Sequence, residues 1–294
     1  MSGRNKNGGY TIVEVLIFLG VTMAIFISAT GLINGKQAQA DFTQSTRDFQ
    51  SKVTDLINDV ATGNYPKNDN LKCQLSGGAG SQVAISTAAS AQGTNLDCIF
   101  LGKVLQFNTG NNASLNIISV AGTRLNASGA EVANLTEALP KSIAGVPAGP
   151  DLTEAYNFQG GLRFVDLVTK DSGGAISHPG SIALFTSFLQ TNANGIVSNS
   201  LITNTLAVPG TATNSSKATV ITQIDGSAIR TASLNPTVII CMEQGGAGGS
   251  STRRAALIIG RNNRQPSTEL HIGDAVNAVD MIDGVSDGSP TCAF

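Results

Sequence analysis

The apolar positions divide the chain at its front end. From Tyr10 to Ile33 it reads YTIVEVLIFLGVTMAIFISATGLI, 24 residues with one charge, at Glu14. About 20 apolar residues rising ~1.5 Å each suffice to cross a bilayer as a helix, so this run predicts a spanning segment. Between Lys36 and Thr62 the pattern becomes one-sided. Apolar residues fall at Phe42, Phe49, Val53, Leu56, Ile57 and Val60, the spacing of a single helix face. Asp41, Gln44, Arg47, Asp48, Lys52, Asp55 and Asn58 fill the opposite face. Gly63-Asn64-Tyr65-Pro66 stops the helix. A continuous helix from Tyr10 to about Thr62 is about 80 Å long. Its stripe lacks three clean heptads, so packing against a sheet is expected rather than a coiled coil.

Beyond Pro66 the apolar runs shorten and turn β-branched. Strands are expected at 82–86, 98–107, 115–120, 162–168, 181–188, 218–224, 237–242, 255–259 and 270–272, separated by Gly, Asn, Ser and Thr clusters. One short helix is expected over 130–139, before Pro140. Residues 74–97 and 191–217 are polar stretches expected as exposed loops. The fold class that follows is α+β. A long N-terminal helix, half membrane and half amphipathic, packs on a largely antiparallel β head. The segments are a leader at 1–9, a membrane helix at 10–33, its amphipathic continuation at 34–62 and the head at 63–294.

Composition narrows the function. Only 13% of the 294 residues are charged and the formal net charge is −2, against about 25% charged in an average protein. Binding nucleic acid by bulk charge is therefore not expected. Apolar content of 41% argues against a disordered chain. The abundance of glycine and small polar residues fits an envelope or extracellular protein. With two histidines, no CxxC and no HExxH, zinc chemistry is not expected. His178, before Pro179, and His271 read as structural. Asp166, Glu243 and Asp274 are too scattered to assign an acid/base pair, and no nucleophile elbow or kinase set is present. Gly77-Gly78 and the 245–249 glycine run open no helix and lack the GK[ST] ending of a phosphate cradle. No catalytic residue, cofactor or metal ligand is assigned.

Glu14 is the residue that needs an explanation. A carboxylate within a spanning segment costs about 2.5–3.5 kcal/mol on insertion scales. It either reaches the headgroups, about a turn away, or finds a positive partner in lipid. A chain cut before Tyr10 would supply that partner as a new amine.

Gly8-Gly9 followed by Tyr10-Thr11-Ile12-Val13-Glu14, behind a leader carrying Arg4 and Lys6 and no acid, resembles the processing site of type IV pilins and the related pseudopilins. The likeness covers about the first 35 residues. It implies cleavage between Gly9 and Tyr10 by a prepilin peptidase, N-methylation of Tyr10, and Glu14 as the assembly glutamate, fifth after the cut. It implies other pilin subunits as partners through the N-terminal helix, an inner-membrane assembly platform, and lipid before assembly. The sequence departs from the pattern at Tyr10, where phenylalanine or another apolar residue is usual. It departs again at Gly31, where many pilins carry proline; glycine there still weakens the helix by about 1 kcal/mol. Losing the leader removes two positive charges and takes the formal charge from −2 to −4. The positive-inside rule keeps the leader cytoplasmic and translocates the rest. Ala38-Gln39-Ala40 offers a signal-peptidase alternative, but the apolar run is long for one. The large head suggests a minor pilin. The strand at 98–107 and the hairpin at 237–259 are similar in pattern to the head of one group of minor pilins and pseudopilins.

Cys73, Cys98, Cys241 and Cys292 allow three connectivities. Cys73–Cys98 with Cys241–Cys292 closes the two shortest loops, each worth about 3–4 kcal/mol in the chain-entropy account; buried free thiols are the alternative. Arg253, Arg254, Arg261 and Arg264 place four positive charges within twelve residues. They suit the phosphates of DNA in a subunit that binds a ligand, by DNA uptake or adhesion, at a filament tip, or else form a solvated, counter-charged strand pair.

Overall fold

The computed structural model describes residues 11–63, 71–76, 82–87, 98–108, 113–143, 153–170, 175–186, 203–212, 215–232, 237–245, 253–262 and 265–274. Gly9, Tyr10, Arg264 and Cys292 lie outside the described residues, as does the leader; the side chains of Cys73 and Arg261 are likewise not described.

Helix α1 runs Ile12–Thr62, matching the expected continuous helix. Thr11 caps its start, its hydroxyl accepting the Glu14 N–H. Gly63 ends it in the left-handed conformation, φ 67°, where its N–H bonds the carbonyls of Asp59 and Val60. A residue without Cβ adopts that conformation at no steric cost.

The strands follow as β1 Leu71–Ser76, β2 Gln82–Thr87, β3 Cys98–Asn108, β4 Ser114–Thr123, β5 Lys141–Ser142, β6 Thr153–Asn157, β7 Leu162–Lys170, β8 Ile176–Ser177, β9 Ser181–Thr186, β10 Thr203–Ala207, β11 Thr237–Gln244, β12 Arg253–Asn262 and β13 Gln265–Asp274. Helix α2 is Leu135–Ala138 and α3 is Lys217–Asp225. The pairings between these strands are antiparallel. They make a β1-β2 ribbon, a six-stranded sheet ordered β10-β9-β3-β4-β5 with β6 also on β4, and a five-stranded sheet ordered β13-β12-β11-β7-β8.

One buried cluster draws on both large sheets and on the helix. Phe42, Phe49, Val53, Leu56, Ile57 and Val60 of α1 share it with Leu105, Phe107, Leu115 and Ile182 of the six-stranded sheet. Phe164, Leu167, Ile240, Met242 and Leu257 of the five-stranded sheet complete it. Phe107 and Phe164 stack across the sheets at 4.4 Å. A second cluster on the far face of the six-stranded sheet is closed by Val220 and Ile224 of α3 and by Ala138 of α2.

Three expectations need correction. Residues 218–224 form helix α3, not a strand. Their β-branched content is outweighed by the Ser216 cap, whose hydroxyl accepts the Thr219 N–H, and by burial of Val220 and Ile224 four residues apart. The helix over 130–139 shrinks to α2, because Asn126 Oδ1 takes the N–H groups of Ser128 and Ala130 and holds a turn up to the Asn134 cap. The stretch 191–217 is not wholly exposed loop. It contains β10, where Thr203, Thr205 and Leu206 are buried. Thr203 resolves its polarity by donating its hydroxyl to the Ile57 carbonyl. Strands β1 and β6 were not expected either.

Candidate functional site

The front half of α1 is exposed along its length from residue 12 to residue 29. Ile12–Thr30 is apolar enough to cross a membrane, and none of it is buried within the protein. Twelve large apolar side chains between Ile12 and Ile27 stand open, with Ile12 at 80%, Phe18 at 71% and Phe26 at 69%. Burying such a side chain is worth about 1.5–3 kcal/mol, so leaving the set in water costs on the order of 20 kcal/mol. The surface requires an apolar cover.

The polar groups in this stretch suit such a cover. The Thr22 hydroxyl donates to the carbonyls of Phe18 and Leu19, Ser28 to Ala24, and Thr30 to Phe26 and Ile27. Each hydroxyl is satisfied within its own helix, as a non-aqueous surrounding demands. Glu14 is the one ionisable side chain left on the span. It sits in the first turn, exposed, three residues after the Thr11 cap. The Thr11–Glu14 spacing is that of a capping box, and the helix N-terminus favours a negative charge there.

Behind the span, polar contacts from the head reach along α1. Lys52 Nζ meets Glu154 Oε1 at 2.6 Å, and Lys103 Nζ meets Asp59 Oδ2 at 2.6 Å. Gln50 donates to the Thr268 carbonyl, the Thr54 and Thr268 hydroxyls share a hydrogen bond, and Gln244 donates to the Ala38 carbonyl. Residues 38–40, the signal-peptidase alternative, lie inside the helix.

Of the four arginines, Arg253 and Arg254 have described side chains. Arg253 and Arg254 are neighbours on a strand, so their side chains leave opposite faces. Arg253 donates to Gln244 Oε1, and Arg254 stands opposite Glu243 in the β11–β12 register. Eight strand steps of ~3.3 Å separate Arg253 from Arg261, about 26 Å.

Neither Cys98 nor Cys241 carries a free thiol.

One contact escaped the sequence. His178 Nδ1 lies 2.8 Å from Asp166 Oδ2. Asp166 Oδ1 accepts the Leu167 N–H. The separation of twelve residues carries no motif; the β7–β8 pairing of Thr169 with Ser177 creates the proximity. The neighbouring hydroxyl is not aimed at the imidazole, because Ser177 Oγ bonds Thr169 Oγ1. His271 Nε2 lies 3.0 Å from Glu269 Oε1 on β13. Among the described residues no three His, Cys, Asp or Glu side chains converge to hold a metal.

No known family, curated protein or solved structure matches this chain.

Proposed function

We propose that the chain is a pilin-like structural subunit, of the minor kind, that is held in a membrane by α1 and assembled through it into a type IV pilus or related filament. The observation that carries this reading is the bare span Ile12–Thr30, apolar on every side, with Glu14 as its lone charge. Lipid covers the span before assembly, and the helices of neighbouring subunits cover it afterwards. Within a helix bundle a carboxylate must be paired and hydrogen-bonded. The amine of Tyr10, released by a prepilin peptidase acting after Gly9, fills that role. The Thr11 cap holds the Glu14 backbone in the first turn.

The contacts from Ala38 to Asp59 support a head seated on the amphipathic half of the helix, so that the filament core and the head move as one piece. They also speak against signal-peptidase cleavage near Ala40, since that peptidase needs an extended substrate and the segment is helical with its carbonyl engaged. A pseudopilin of a secretion system shares this plan and is the alternative. The head stands outside the cytoplasmic membrane, and no catalytic role is assigned to it.

N-terminal sequencing of the protein from native membranes tests the reading. A start at N-methylated Tyr10 supports it. A start at Met1, or near Asp41 with the span lost, overturns it.

A further inference from the structure

Helix α1 sets the height of the head above a membrane. The apolar span ends at Thr30, and the helix continues unbroken to Thr62. The Ala38 carbonyl accepts the Gln244 side-chain amide at 3.0 Å. Ala38 stands about 12 Å beyond Thr30 by helical rise. A headgroup layer takes up about 5–8 Å of that height. The remaining gap is shorter than the ~8–10 Å over which charge acts at physiological salt. Further contacts climb the helix in order. Gly160 packs on Asp41 and Ser45, Thr268 meets Gln50 and Thr54, and Lys103 meets Asp59. The end of the head nearest the span is therefore where β11 ends and where β7 and β12 begin.

That end collects basic side chains. Arg253 donates to Gln244 Oε1 at 3.1 Å, which ties it to the level of Ala38. Arg254 follows on the opposite face of β12, so the two arginines straddle the end of the sheet. Arg163 is exposed on β7. Its side chain crosses over Gly245, where a Cβ would collide with its Nε and Cδ, and the Gly245 N–H donates to the Gly161 carbonyl. Lys36 is exposed on the helix just below. The acids at this level are Glu243, in register with both Arg254 and Arg163, and Asp274, in register with Arg253. Even counting Asp41, one turn further up the helix, positive charge is in excess here, in a chain that carries −4 without its leader.

We propose that Lys36, Arg163, Arg253 and Arg254 form a basic collar that binds the phosphates of anionic phospholipid headgroups and seats the head on the bilayer before assembly. The inference rests on the reading of α1 as a membrane anchor. The guanidinium fork matches phosphate oxygens, and headgroup phosphates are dense where the span leaves the bilayer. A nucleic acid bound at a filament tip would meet the opposite end of the head, remote from the span.

The full chain, purified in detergent and offered an equimolar mixture of phosphatidylglycerol and phosphatidylcholine, tests this by mass spectrometry of the lipid it retains. Phosphatidylglycerol is expected to be enriched several-fold, and the enrichment is expected to vanish at high salt. One arginine near an anionic surface changes binding about fivefold. Arg163→Gln, at an exposed position, is expected to lower the enrichment by up to that factor with an unchanged urea midpoint, while Arg163→Lys keeps most of it. Arg124→Gln, on a strand-end arginine paired with Glu131, is expected to change nothing. Equal retention of the two lipids, or an enrichment that survives Arg163→Gln, Arg253→Gln and Arg254→Gln alike, overturns the collar. Duplex DNA binding that Arg163→Gln abolishes, without any lipid preference, overturns it in favour of nucleic acid. Carbonate extraction of native membranes separates the two proposals. Release of the chain sinks the anchor and this inference together, whereas a retained chain with no lipid preference sinks this inference alone.

Discussion

Lys103 Nζ lies 2.6 Å from Asp59 Oδ2, joining β3 to the last turns of α1, with the lysine side chain 7% exposed and the aspartate 33%. A half-buried ion pair adds little net stability over an apolar replacement, but removing the aspartate strands the buried lysine charge.

Asp59→Ala is expected to destabilise the protein by about 1–3 kcal/mol, less than for a fully buried pair because the carboxylate is partly exposed. Lys103→Met in the same background is expected to restore most of that loss. Urea unfolding of the detergent-solubilised protein measures both. A double variant no more stable than Asp59→Ala would deny the pairing its role.

Phe49 is fully buried and meets Phe158 edge-on at 5.2 Å and Tyr156 at 6.2 Å. Phe49→Ala is expected to cost about 3–5 kcal/mol through lost transfer energy and the cavity left behind. The midpoint of urea unfolding reports it, and an unchanged midpoint would mean that the helix face is not part of the core.

Gly160 turns between β6 and β7 at φ 58°, and a Cβ there would collide with Ser45 Oγ and crowd the Asp41 carbonyl. That hydroxyl already donates to the same carbonyl. Gly160→Ala is expected to lower the melting temperature, combining left-handed strain with the clash, by about 1–3 kcal/mol in stability. Gly129→Ala, also at positive φ but with open space around it, is expected to show the strain alone and a smaller loss.

Burial, reinforced by the charge of Asp48, raises the Tyr156 pKa above its ordinary value of 10.0. A raised folded-state pKa means that the unfolded chain releases the proton first. The contribution of Tyr156 is complete below about pH 10 and declines as pH rises above it. Tyr156→Phe is expected to flatten that part of the stability profile between pH 9 and 11. Parallel slopes in the two proteins would show that lysines alone set the alkaline limit.

Glu14→Ala is expected to leave membrane insertion intact and sharply reduce incorporation into filaments, read by quantifying the subunit in sheared filament and membrane fractions. Normal filament levels with the variant at full dose would refute the assembly role of Glu14.

The helix was readable because its evidence is local. Twenty-four consecutive residues with one charge, then apolar positions three and four apart, then Gly63 and a proline, determine its existence and its end. The hairpin of β11 and β12 was readable for the same reason, as two apolar runs around a glycine-rich loop. Strand β10 was not, since its threonines look like loop and become strand only when Thr203 finds the Ile57 carbonyl. Helix α3 reads as β-branched strand until its two buried residues meet the far face of the six-stranded sheet.

The same division holds for the candidate sites. Sequence alone marked Glu14, because a charge in an apolar span is conspicuous without knowing its neighbours. It could not assemble Asp166 with His178, or separate Arg253 from Arg254, because those relations depend on which strands pair and which face each residue takes. Linear pattern determines what a segment must hide from water. Only the tertiary structure decides what it hides against, since partners distant in sequence meet through strand register and sheet packing that no local spacing encodes.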